Sequence, residues 1–161
     1  MEDKYLDLSV FEWHRFALLH HTGWKEKGNH YDLVLETIYG EDQEEQSLLE
    51  LTSRSRIEGE KFNVELMGPI RRRYLFYEGS MTRRRGEVKR IDKGAYIKLW
   101  TNDIINPSGI IFRGKTLKGA YKYTRTKNGF YIFEQCGVEG KDAIHLLPNP
   151  EFNWSSKSSG L

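Results

Sequence analysis

The chain has 161 residues, the length of one ordinary domain, with a formal net charge of only +2 and with 38% hydrophobic and 13% aromatic residues. That much large apolar surface excludes a wholly disordered chain, and a single cysteine, Cys136, excludes an internal disulfide and a Cys₄ or Cys₂His₂ zinc site. The start, Met1-Glu2-Asp3-Lys4, lacks the basic region and apolar run of a secretion signal, and no stretch reaches the ~20 apolar residues of a membrane span; the expected setting is cytoplasmic, with no membrane partner.

In chain order, residues 5–14 (YLDLSVFEWH) read as a short helix or an irregular lead-in. Residues 15–21 (RFALLHH) suit a strand buried on both faces, and TGWKEKGN after them is a turn-rich loop. His30–Thr37 alternates apolar and polar residues and is closed by Tyr39-Gly40, which predicts a second strand and a hairpin with histidines at its loop end. Residues 41–47 are a polar loop, Leu48–Ser53 is ambiguous, and Phe62–Met67 reads as a strand broken by Gly68-Pro69. Tyr74–Tyr77 predicts a short aromatic strand closed by Glu78-Gly79. Turn signals then recur at Gly86, Lys93-Gly94, Asn106-Pro107, Gly114, Gly119 and Asn128-Gly129, and the runs GAYKYTR and FYIFEQ form the clearest hairpin. Many short aromatic and β-branched runs with close turn signals predict a mainly β fold, a compact closed or partly open β-barrel with short flanking helices. It is read as a single domain over residues 1–154 with a flexible tail at 155–161.

Charge is unevenly spread. Residues 41–50 are acidic, whereas 71–90 hold Arg71, Arg72, Arg73, Arg83, Arg84, Arg85, Lys89 and Arg90. Such a basic block suits a phosphate-binding surface, because Lys and Arg displace counterions from a nucleic-acid backbone; a solvated face balanced by the acidic segment explains it equally well.

His30 and Asp32 stand two apart, so a strand puts both side chains on one face, and the hairpin brings His21 across to them. His20 and His21 are adjacent, so only one of them faces the pair. Two imidazoles and a carboxylate form a mixed nitrogen and oxygen site suited to manganese, iron or zinc. Three protein ligands leave positions open for water and substrate.

The segments RFALLHHT and NHYDLVLE resemble the opening of the 3′-phosphoesterase domain found in bacterial and archaeal DNA ligase D. Tyr77-Glu78-Gly79, Arg85-Gly86-Glu87-Val88 and Asp92-Lys93-Gly94 are similar to that family's second signature, and Gly114-Lys115-Thr116-Leu117-Lys118-Gly119 to its third, so the matching blocks run in family order from Arg15 to Glu134. The resemblance implies a β-barrel with flanking helical segments that trims 3′ ends of DNA at breaks, removing a terminal ribonucleoside and then the 3′-phosphate, with manganese preferred and zinc or another divalent metal as alternatives. It implies metal ligands at His21, His30 and Asp32, and a phosphate contact at Tyr74. Its other phosphate contacts, an Arg and a His, fall on Val34 and Ile70, so Arg71, Arg72 or Arg73 would have to supply the missing charge, with Arg71 taking the catalytic position and Arg72, Arg73, Arg83, Arg84 and Arg85 holding the backbone. The expected partners are DNA or RNA 3′ ends and repair proteins such as a ligase or polymerase.

Two rival expectations accompany this one. Val34 and Ile70 also suit a catalytically impaired barrel that serves as a nucleic-acid or repair-protein binding module. From the residues alone, His30, Asp32 and a distal His145 suit the facial triad of a non-haem iron oxygenase.

Overall fold

Alternation of apolar and polar residues dominates the chain, and the strands it dictates carry nearly all of the regular structure. The computed structural model describes residues 13–37, 48–100, 108–135 and 151–154. Cys136, His145, the polar segment 41–47, most of the lead-in and the expected tail lie outside the described residues.

The strands are β1 (Trp13–Thr22), β2 (His30–Glu36), β3 (Leu48–Ser53), β4 (Lys61–Ile70), β5 (Gly79–Ser80), β6 (Glu87–Trp100), β7 (Ser108–Arg113), β8 (Lys118–Lys127) and β9 (Phe130–Gln135). They pair in the order β1-β2-β3-β4-β9-β8-β7-β6, and β6 returns to β1, so eight antiparallel strands close a barrel while β5 is a short addition on β6. Closure leaves the eight strands without a free edge.

Period-two alternation sorts the side chains. Phe16, Leu18, Leu33, Leu35, Leu49, Leu51, Phe62, Tyr96, Phe112, Tyr121 and Phe133 fill the interior, with contributions from all eight strands of the barrel. The alternate residues of β1 to β3 form a second apolar layer on the outer face: Ala17, Leu19, Val34 and Leu48, joined by Leu75 and Val88. Ile70, Tyr74, Phe76, Met81 and Trp154 pack over that layer, so the segment between β4 and β6 roofs the outside of the β1–β2–β3 sheet.

Several local expectations change. Trp13 and His14 belong to β1 rather than to a helical lead-in. The only helical piece among the described residues is a 3-10 turn at Arg72–Leu75, so the aromatic run from Tyr74 is not a strand. Arg72 and Leu75 are both buried; at three residues per turn they lie on one face, and that face closes onto the barrel. Gly68-Pro69 does not break β4. Glu50 pairs with Gly68 and Leu51 with Leu66, so Met67 is the extra residue of a bulge, with Gly68 at φ +108°. Lys93-Gly94 is no turn either, since β6 runs straight through it. A Cβ on Gly94 would lie 2.2 Å from the Arg113 carbonyl oxygen, so glycine there permits close backbone approach.

Asp92 ties the second and third sequence signatures together. Its carboxylate accepts hydrogen bonds from the backbone N–H groups of Lys93, Lys115, Thr116 and Leu117 at 2.7–2.9 Å, and from the Thr116 hydroxyl at 3.0 Å. This holds the β7–β8 turn against β6. Replacing Asp92 by alanine strands several of these donors, and it is expected to cost about 3 kcal/mol in urea denaturation while leaving metal affinity unchanged. Among the described residues no helix is long and apolar enough to cross a membrane.

Candidate metal centre

The β1–β2 hairpin delivers the histidine–aspartate constellation. Antiparallel register sets His21 opposite His30 and Leu19 opposite Asp32, and the two-residue spacing places His30 and Asp32 on one face. His21, His30 and Asp32 are all buried, and one donor atom from each lies within 4.8 Å of the others.

Backbone carbonyls orient both imidazoles. His30 Nδ1 donates to the Gly28 carbonyl at 2.9 Å, which leaves Nε2 facing Asp32 Oδ2 at 3.3 Å. His21 Nε2 contacts the Arg85 carbonyl at 2.5 Å. A carbonyl on one ring nitrogen, fixing the tautomer and freeing the other nitrogen, is the usual support of a metal-ligating histidine. Gly86 makes the His21 contact possible: a Cβ there would lie 1.8 Å from the Thr22 carbonyl oxygen, so only glycine lets the β5–β6 turn reach the end of β1. That turn is strained. Arg83 and Arg84 sit side by side at φ 58° and 57°, a left-handed pair that costs on the order of 1 kcal/mol per residue outside glycine.

The donors fit a divalent cation. Asp32 Oδ1 is buried with no hydrogen-bond partner, a costly arrangement for an acceptor that a cation would relieve. Two imidazoles and a carboxylate are a coherent borderline donor set.

The electrostatics are those of a cluster crowded with protons and acids. The hydrogen bond with Asp32 raises the His30 imidazole above its ordinary value, outweighing burial. Burial lowers His21, against the pull of the Arg85 carbonyl. Glu50 is opposite Val34 in the β2–β3 pair and thus diagonal to Asp32; burial first, and then the Asp32 charge, push its carboxyl up to about 7. Glu50 is therefore neutral in the folded chain over a pH range in which the unfolded chain ionises it. Its contribution to stability is intact below the ordinary value of 4.5 and is lost as pH rises towards about 7. In the metal-free protein, Glu50→Gln is expected to gain on wild type by on the order of 2 kcal/mol between pH 5 and pH 8, measured by denaturation at each pH. A difference independent of pH would contradict the assignment.

The remaining sequence candidates fall in separate places. His20 points to the other face of β1 and stacks on Tyr31, with ring centroids 4.3 Å apart. Val34 is fully buried and Ile70 packs on the same apolar layer, with Tyr74 beside them. Arg71 and Arg73 are exposed, and Arg73 donates to the Tyr74 hydroxyl at 3.2 Å. Arg72 is 1% exposed, with a guanidinium nitrogen 3.6 Å from Glu36, so it is placed to balance a buried acid rather than to meet a nucleic-acid backbone. Arg83 and Arg84 are exposed at the tip of the β5–β6 turn, and Arg85 reaches His21 through its carbonyl.

Four residues near the cluster were not singled out in the sequence. Glu50 was hidden in an ambiguous segment, although the alternation of LLELTS points it to the Val34 face. Trp24 lies 5.3 Å from the His21 ring and 6.4 Å from the His30 ring. Lys27 and Arg54 flank the same loop; the Arg54 guanidinium closes over Gly28, where a Cβ would come within 2.8 Å of Nη1. The turn-rich composition of the loop concealed all but its glycines. Compared with known proteins, the chain matches no family model, and no curated protein matches it.

Proposed function

We propose that the chain is a divalent-metal-dependent phosphoesterase that acts on 3′ ends of DNA or RNA in the repair of breaks, removing a 3′-phosphate or a 3′-ribonucleoside in the cytoplasm, with manganese as the metal. The observation that carries this reading is the buried His21–His30–Asp32 cluster with its unpartnered Asp32 oxygen, set in segments that resemble the 3′-phosphoesterase family. A bound divalent ion would supply Lewis-acid polarisation of the phosphoryl group and a more acidic bound water. His21, His30 and Asp32 would hold it, and the Gly28 and Arg85 carbonyls fix the two rings. The product, a clean 3′-hydroxyl, is what a polymerase or ligase extends or joins, so such a protein is the expected partner.

A second reading, a barrel that binds nucleic acid or a repair protein without turnover, is favoured by one observation: Val34 and Ile70, where the resemblance calls for phosphate-contacting cations, lie in an apolar layer. One assay separates the two. Wild-type chain with manganese is expected to release phosphate from a 3′-phosphorylated primer-template, and His30→Ala to lose at least about a hundredfold in rate. Salt-sensitive DNA binding without release by the wild type would select the second reading, and undiminished release by His30→Ala would refute the first.

A further inference from the structure

The expected phosphate grip does not assemble on the Val34 side of the cluster. Val34 and Ile70 are part of an apolar layer, Arg72 lies inside beside Glu36, and Arg73 is engaged with the Tyr74 hydroxyl. Positive charge collects instead around the β1–β2 loop. The Trp24 indole lies against His21 and His30, with ring centroids 5.3 and 6.4 Å away. Lys27 Nζ stands 5.3 Å from the centre of that indole and Arg85 Cζ 5.8 Å from it. The Arg85 side chain is aimed by two hydrogen bonds at 3.0 Å, to the Thr82 carbonyl and hydroxyl, and its own carbonyl meets His21. The strained Arg83–Arg84 turn sets this geometry.

We infer that Trp24, Lys27 and Arg85 form the anion grip of the metal centre, with Lys27 as the cation that holds a phosphate dianion and Trp24 as the surface on which the terminal nucleotide stacks. The inference rests on the metal-centre reading above, but it assigns residues which that reading does not. Asp32 is the one carboxylate among the cluster's three donors, so a divalent ion there, with Lys27 and Arg85 beside it, leaves an excess of positive charge that a phosphate would balance. Lys27 is near enough for its charge to be felt at His21, His30 and Glu50. All three members of the grip are half-buried, firmly placed yet reachable from solvent. An indole beside paired cations also suits a nucleic-acid end, since every base offers a face to stack and every backbone a charge to pair.

The test uses the 161-residue chain loaded with manganese and three probes: inorganic phosphate, a 3′-phosphorylated oligonucleotide and the same oligonucleotide ending in a hydroxyl. Binding is read by calorimetry and manganese affinity is measured separately. Lys27→Ala is expected to weaken inorganic phosphate and the phosphorylated oligonucleotide about tenfold, with Lys27→Arg restoring most of the loss. Manganese affinity should stay the same or tighten, because a repelling charge is gone. Trp24→Leu is expected to weaken both oligonucleotides about tenfold and inorganic phosphate less than about twofold. Unchanged phosphate affinity in Lys27→Ala, or no phosphate binding by the wild type, overturns the grip even if the chain releases 3′-phosphate. Lys27-dependent phosphate binding without any release leaves the grip standing and overturns the phosphoesterase reading. Loss in Trp24→Leu of inorganic phosphate equal to that of the oligonucleotides overturns the stacking role.

Discussion

A Glu36→Ala chain is expected to unfold with about 3–5 kcal/mol less stability than wild type, the cost of leaving buried charge uncompensated. Glu36 is the acid around which the outer face of β1 and β2 is organised. Its carboxylate accepts from the Arg15 backbone N–H at 3.0 Å, from Arg15 Nε at 3.1 Å and from Nη2 at 2.6 Å, and Arg72 stands 3.6 Å away. Arg15 in turn donates to the Asn153 carbonyl at 2.7 Å and lies 5.3–6.0 Å from the rings of Phe76, Phe152 and Trp154. Removing the acid leaves two arginines in the interior and loosens the segment at 151–154 that covers them. Burial alone would raise the Glu36 carboxyl, but the Arg15 hydrogen bonds and charge, with Arg72 behind, more than reverse this and hold it below the ordinary 4.5. Its contribution to stability is therefore complete above that value and lost as pH falls through the lowered one. Glu36→Gln, which preserves shape but not charge, should be destabilised at pH 7 and converge on wild type in acid. Equal stability of both variants with wild type at pH 7, measured by chemical denaturation, would contradict this account.

The second large effect concerns the metal. Saturating manganese or zinc, at about a thousand times its dissociation constant, is expected to stabilise the wild-type chain by about 4 kcal/mol, because the three donors converge only in the folded state. His30→Ala and Asp32→Asn should show almost none of this gain. Each gain is read against the same variant's own metal-free stability, which His30→Ala lowers by leaving the buried Asp32 without the imidazole 3.3 Å away. The comparison thus separates loss of metal from loss of fold. Equal metal-induced stabilisation in wild type and both variants would place the binding elsewhere.

How far the sequence foretold the molecule depends on the range of the interaction involved. Local alternation was enough for β2, β8 and β9, an apolar run was enough for most of β1, and the spacing of His30 and Asp32 was enough to put both on one face opposite His21. Features set by distant neighbours were not legible. Gly94 looks like a turn until the Arg113 carbonyl arrives from β7, and Gly68-Pro69 looks like a break until Met67 is seen as a bulge. The arginine run at 71–73 reads as a uniform basic patch, yet the 3-10 turn splits it, turning Arg72 inward to Glu36 while Arg71 and Arg73 stay exposed. Glu50 and Lys27 were not legible for the same reason: each comes near the His–Asp cluster through pairing or loop packing that leaves no period in the sequence.

Whether His21, His30 and Asp32 form a divalent-metal centre is decided by titrating the metal-free 161-residue chain with manganese in a calorimeter at several pH values. A single site is expected, with an affinity that rises with pH and with protons released on binding, since protonation of His30 or of Glu50 opposes the metal. His30→Ala is expected to abolish the site. No binding by the wild type, or undiminished binding by His30→Ala, would contradict the metal centre.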